Sequence, residues 1–138
     1  MKLYDLIRKF EGLRLKPYLD AVGVATVGYG HTGHDVSPQS PPVTAAVAEA
    51  LMREDAEKAC LAALKASPGL AGDDDRLSAI ADFIFNLGAG RYRPSTLRRK
   101  VNAGEWLDAA EEIQKWVHAG GRKLPGLVIR RAAEASLL

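Results

Sequence analysis

A chain of 138 residues with 47% apolar and 26% charged side chains can bury a core of its own, and this balance excludes fibrous, collagen-like and wholly disordered architectures. Net charge is +2, but residues 91–131 hold ten Lys/Arg against four Asp/Glu, so that segment carries +6 and the rest −4; such a segment either meets an anionic wall, lipid or nucleic acid, or is a solvated face. Cys60 stands alone, which excludes a disulfide or a cysteine-built metal site within this chain, and no run approaches the ~18 apolar residues of a membrane span.

In chain order, Leu3, Leu6, Ile7 and Phe10 recur at three- and four-residue spacing and predict an amphipathic helix over 2–11, stopped by Gly12. Asp5, Arg8, Lys9 and Glu11 interrupt every apolar run there, so the stretch lacks the apolar core of a secretion signal. Glu11 falls at the C-terminal end of the helix, where the dipole does not favour a carboxylate. Pro17 and the run Asp20-Ala21-Val22-Gly23 then predict a hairpin between strands 15–19 and 24–29. Period-two alternation puts Val24, Thr26 and Gly28 on one face, and the bare backbone at Gly28 and Gly30 leaves room for a ligand ring.

Three prolines make 37–42 a loop, and a long helix is expected from Thr44 to about Lys65 through Ala46, Ala50, Leu51, Ala56 and Leu61. Residues 67–75, with Pro68, Gly69, Gly72 and three aspartates, are expected to be an exposed link. A mostly apolar helix follows through Leu77, Ile80, Ala81, Ile84, Phe85 and Leu87 to the glycines at 88 and 90, its all-round apolarity implying burial. Further helices are expected over 94–103, over 105–118 with Trp106, Ala109, Ala110, Ile113 and Trp116 periodic, and from Pro125 with Leu127, Val128 and Ala132. The fold class is therefore α+β: one domain over 1–138, in which helix 2–11 leads into a small antiparallel sheet lobe (12–42), joined by helix 43–65 to a mainly helical lobe (67–138), with a ligand cleft between lobes.

Two carboxyl groups in different surroundings are what glycoside hydrolysis requires: one protonated to assist the leaving group, one ionised to direct water. Glu11, at a helix end among apolar neighbours, and Asp20, in a wet turn, supply such a contrast. Their spacing alone is unspecific, and surface carboxylates would show it too. The run FEGLRLKPYLDAVGVATVGYGHTG, residues 10–33, is more specific: it closely resembles the active-site segment of phage lysozymes, the family 24 glycoside hydrolases. DFIFNLGAG (82–90), STLRRKVNAGEW (95–106) and KWVHAGGRKLPGLVIRR (115–131) extend the resemblance over nearly the whole chain.

The resemblance implies a lysozyme-like fold and hydrolysis of the β-1,4 bond between N-acetylmuramic acid and N-acetylglucosamine in peptidoglycan. It implies Glu11 as general acid, Asp20 with Thr26 positioning the attacking water in an inverting mechanism, and no cofactor. Gly28, Gly30, His31, Asn86 and Asn102 are candidate substrate contacts, although His31 also suits a structural hydrogen bond to a carboxylate. The sequence departs from the pattern at Ala25, often a bulky aromatic in relatives, and at Ile129, where relatives often carry a third arginine before Arg130 and Arg131; Arg130 remains a candidate to orient the acid. His31, His34 and His118 do not have metal-site spacing, so no metal is expected. Trp106 and Trp116, at helical spacing among small apolar residues, read as core.

A catalytically silent lysozyme-fold binding module is the main alternative, and intact Glu11, Asp20 and Thr26 argue against it. Nucleic acid is not an expected partner, because the basic segment has neither interleaved aromatics nor a recognisable motif. A phage endolysin of this kind is expected to be a monomer without stable membrane insertion, held in the host cytoplasm until a phage pore releases it to the wall.

Overall fold

The computed structural model describes residues 2–138 and divides into two compact units: Tyr4–Asp55, and residues through Leu3 together with Ala56–Leu138. Helix α1 (Lys2–Glu11) forms where the stripe predicts it, with Leu3 and Ile7 fully buried and Leu6 and Phe10 half-buried. Each fully buried aliphatic side chain stabilises by about 1.5–3 kcal/mol relative to exposure. Gly12 ends the helix in a left-handed conformation (φ 69°), donating to the Arg8 carbonyl at 3.2 Å.

Strands β1 (Arg14–Leu19) and β2 (Ala25–Gly28) form an antiparallel two-stranded sheet. Tyr18 pairs with Thr26 and Leu19 with Ala25, while a register irregularity between Arg14 and Tyr18 brings Arg14 opposite Gly28. Helix α2 (Ala45–Ala66) begins after Thr44, whose hydroxyl accepts from the Val47 amide at 3.2 Å. Its buried stripe is Ala48, Met52, Ala56, Ala59, Ala63 and Ala66. Only Ala56 belongs to the stripe expected from sequence; Ala46, Ala50 and Leu61 are exposed. Alanines on every side of this helix leave its rotational phase open until a partner surface selects it. Within the first unit, Arg8 ties α1 to α2 by donating to both carboxylate oxygens of Glu49.

In the second unit, the segment expected to be an exposed link is partly core. Pro68–Leu70 form a 3-10 turn with Ser67 and Leu70 buried, and the Ser67 hydroxyl meets that of Tyr92 at 2.7 Å. Helix α3 (Asp74–Leu87) starts earlier than its apolar pattern, because Asp73 caps it by accepting from the Arg76 amide at 3.1 Å. Its residues 78–84 are all buried, as its apolar character implies. Short helices α4 (Ala89–Tyr92), α5 (Thr96–Asn102, capped by Ser95) and α6 (Trp106–Ile113) follow. Phe83 is the aromatic centre, meeting Trp116 edge-on at 5.4 Å and Tyr92 at 6.1 Å.

Helix α6 stops five residues before its expected end. Val117 turns inward, and β3 (His118–Ala119) pairs with β4 (Arg122–Lys123) across Gly120 and Gly121, both at positive φ, as a two-residue hairpin turn requires. Helix α7 (Pro125–Ala135) starts at its proline but reverses the expected polarity: Val128 and Ala132 are exposed, whereas Arg130, Arg131 and Glu134 are buried. Arg130 donates to both carboxylate oxygens of Asp82 at 2.9 and 2.8 Å, and Arg131 donates to Asn86 at 2.8 Å and Glu134 at 2.9 Å. Such burial is tolerable because Arg130 meets the opposite charge of Asp82 and Arg131 meets acceptor oxygens of Asn86 and Glu134. Burial pushes Glu134 well above the usual carboxylate range; at Asp82 the opposing pull of Arg130 outweighs burial and holds it below.

Candidate active site

The Tyr4–Asp55 unit contains every sequence-predicted site residue except Asn86 and Asn102. Helix α1 carries Glu11 as its last residue, half-buried, and the chain returns through β2 to Gly30. Gly30 has φ 75°, and a β-carbon built there would lie 2.6 Å from Oε1 of Glu11 and 2.9 Å from its Cδ. The bare backbone of Gly30 is thus the seat of the Glu11 carboxyl group. Gly28, also left-handed at φ 67°, lies under helix α2, with a β-carbon only 3.2 Å from that of Ala48. On the side where a side chain would project, both glycines face protein, an acid at one and a helix at the other, because each lacks the atom that would keep its neighbour away.

Asp20 closes the hairpin turn. Its amide donates to Val24 O at 2.9 Å, and its Oδ1 accepts from the Val22 and Val24 amides at 2.9 and 2.8 Å. Both bonds converge on one carboxylate oxygen, which fixes the side chain. Thr26 is 4% exposed and donates to Val24 O at 2.9 Å, so its hydroxyl oxygen keeps acceptor capacity. Asp20 and Thr26 thus hang from one anchor, the backbone of Val24.

His31 lies beside these residues in sequence but is occupied. Its Nδ1 meets Asp55 of α2 at 2.6 Å and its Nε2 meets Asp35 at 2.9 Å. Burial would lower its pKa, but the two carboxylates outweigh burial and raise it. This is the structural carboxylate partnership expected for His31, and no ring nitrogen is left over for a sugar. Asn86 accepts from Arg131, and Asn102 donates to Ala66 O at 3.2 Å while lining a cavity of about 530 Å³ with Leu70, Val101 and Trp106. Trp106 is half-buried under the Arg76 guanidinium, 3.9 Å from its ring, rather than sealed in the core. Among the described residues, no three His, Cys, Asp or Glu cluster to hold a metal, and no helix is long and apolar enough to cross a membrane.

Sequence reasoning overlooked Tyr18. It sits opposite Thr26 with the Arg14 guanidinium 4.3 Å from its ring. Burial raises its pKa, the negative charges of Glu11 and Asp20 raise it further, and Arg14 partly offsets them. Counting outward from the turn would have found it, since pairing Leu19 with Ala25 forces Tyr18 onto Thr26.

Comparisons with known proteins agree with one another. The chain is 40% identical over 126 residues to a SAR-endolysin of Bacteriophage PS119, covering 90% of this chain and 73% of that protein. Two solved structures superpose over 99% of it: the muramidase domain of SpmX from Asticaccaulis excentricus (TM-score 0.86, 31% identity, 93% of that chain) and an endolysin from Escherichia coli O157:H7 phage FAHEc1 (TM-score 0.84, 33% identity, 89% of that chain). These neighbours share the lysozyme-like α+β fold. A phage lysozyme family model matches residues 8–134, and with relatives of this closeness the chain belongs to the phage lysozyme family.

Proposed function

We propose that Glu11 is the general acid of this lysozyme and that Asp20, with Thr26, holds and activates the attacking water. The enzyme is a phage muramidase for host lysis, hydrolysing the bond from N-acetylmuramic acid to N-acetylglucosamine. In the step itself, Glu11 gives its proton to the glycosidic oxygen as that bond breaks. Water held between Asp20 and Thr26 attacks the anomeric carbon from the opposite face and passes its proton to Asp20. Inversion follows from attack by water rather than by a carboxylate, and it calls for carboxyl groups roughly 6.5–9.5 Å apart.

The observation that carries this reading is the contrast between two carboxyl groups in one unit: Glu11 against bare glycine backbone at a helix end, Asp20 gripped on one oxygen by two amides. The first arrangement fixes where the Glu11 carboxyl meets a ligand, and the second holds Asp20 rigidly where it can direct a water. The protein acts as a monomer, with neither nucleic acid nor stable membrane insertion in its cycle. It waits in the host cytoplasm until a phage pore opens the way to the wall, to which the basic 91–131 segment adds a salt-sensitive attraction.

Clearing of chloroform-treated Gram-negative cells by the wild type and by Glu11→Gln, with mass spectrometry of the fragments, tests the assignment. Clearing that is lost in Glu11→Gln, with reducing-end muramic acid in the wild-type digest, is expected. Anhydro-muramic ends would replace hydrolysis by transglycosylation, and undiminished clearing by folded Glu11→Gln would remove Glu11 from the reaction.

A further inference from the structure

Tyr18 is the residue of the hairpin that this scheme leaves unused. Pairing directly opposite Thr26 puts both side chains on the same face of the sheet, at neighbouring positions. The ring is half-buried, and the Arg14 guanidinium over it at 4.3 Å limits the orientations it can take. Around the phenol lie the fields of both reaction carboxyls, which together with burial keep it protonated and therefore a donor. Among the described residues, no protein group hydrogen-bonds that hydroxyl, which is open to solvent. A rigid aromatic donor with no protein partner, beside the residue that holds the water, suits an acceptor on an incoming ligand.

We propose that Tyr18 is a further substrate-contacting residue, its hydroxyl donating to a hydroxyl or acetamido oxygen of the amino sugar lying against Thr26, with Arg14 as its positioning residue. The inference rests on the muramidase reading above and adds the contact that orients the sugar there. A ring with only two side-chain torsions costs little entropy to hold, and Arg14 lowers that cost further by stacking on it. Lysine at position 14 would keep the charge but lose the planar stack.

The test measures reducing-end release from soluble, uncrosslinked glycan strands by the wild type, Tyr18→Phe, Arg14→Gln and Arg14→Lys. Loss of one neutral hydrogen bond predicts a KM about 3- to 10-fold higher in Tyr18→Phe, with kcat within about twofold and an unmoved pH–rate profile. Both Arg14 variants should raise KM less, and adding either to Tyr18→Phe should add nothing, because they act through the same contact. Binding of the strands to Glu11→Gln and to Glu11→Gln/Tyr18→Phe, followed by calorimetry, reads the contact without turnover. Weaker binding by the double variant supports the contact even if the wild type fails to hydrolyse, an outcome that would sink the muramidase reading alone. Equal binding with unchanged KM overturns the proposal. So does an altered melting temperature with normal kinetics, which would make Tyr18 structural, or a shifted acid limb at constant KM, which would make it a modulator of Glu11.

Discussion

Replacing Gly30 with alanine should damage the reaction more than the fold. The new β-carbon would sit 2.6 Å from Oε1 of Glu11, whereas ordinary contact begins near 3.4 Å, so the carboxyl must retreat by about 0.8 Å. A carboxyl at the end of a flexible side chain retreats at little energetic cost, but misplacement of a reacting group by about 1 Å can cost on the order of 100-fold in rate. Separately, alanine at φ 75° bears a left-handed backbone penalty of about 1–2 kcal/mol. For a chain of this size that is roughly 4–8 °C in melting temperature. Gly72→Ala is the control, because Gly72 has a similar φ of 83° with nothing within 4 Å of its β-carbon position. Calorimetry should give the two variants similar losses of stability, and turnover of soluble glycan at a temperature where both are folded should separate them by roughly 10- to 100-fold. Equal turnover would refute the argument that Gly30 seats the acid.

Two other perturbations probe buried charges inside each unit. Because the folded pKa of His31 is raised, its protonation stabilises the protein fully below its unfolded value of about 6.5, and this contribution is lost as pH rises through the folded pKa. The melting-temperature gap between wild type and His31→Gln should therefore be widest near pH 5–6 and narrow as pH rises; a gap independent of pH would remove the ionic role of His31. In the helical unit, Asp82→Asn leaves Arg130 buried without its counter-charge and should cost about 3–5 kcal/mol in urea unfolding at neutral pH. Glu134→Gln should cost less, since burial already favours the neutral form of that carboxyl; the reverse order would mean that Glu134 is the principal counter-ion.

How much was legible in the sequence depended on how local the signal was. Helix α1, the hairpin turn at 20–23 and the start of α7 at Pro125 depend on spacing, a turn and a proline, each acting within a few residues. The run 10–33 likewise held Glu11, Asp20 and Thr26 together, because the unit that carries them is continuous in the chain. Where a signal was present but weak it was passed over: the Gly120-Gly121 turn and the Asp73 cap were both written in the chain.

Tertiary structure alone decided the rest. An alanine-rich helix such as α2 has no preferred inner face until a neighbour presses on it, so Ala48 and Met52 turn inward while Leu61 faces solvent. No local pattern says that Arg130, Arg131 and Glu134 should be buried. A charge enters a core only when a partner from elsewhere in the chain is already there, and Asp82 lies 48 residues from Arg130. Likewise Gly28 and Gly30 announce missing side chains but not what fills the space. The helix at one and the acid at the other arrive from distant parts of the chain, and only packing brings them there.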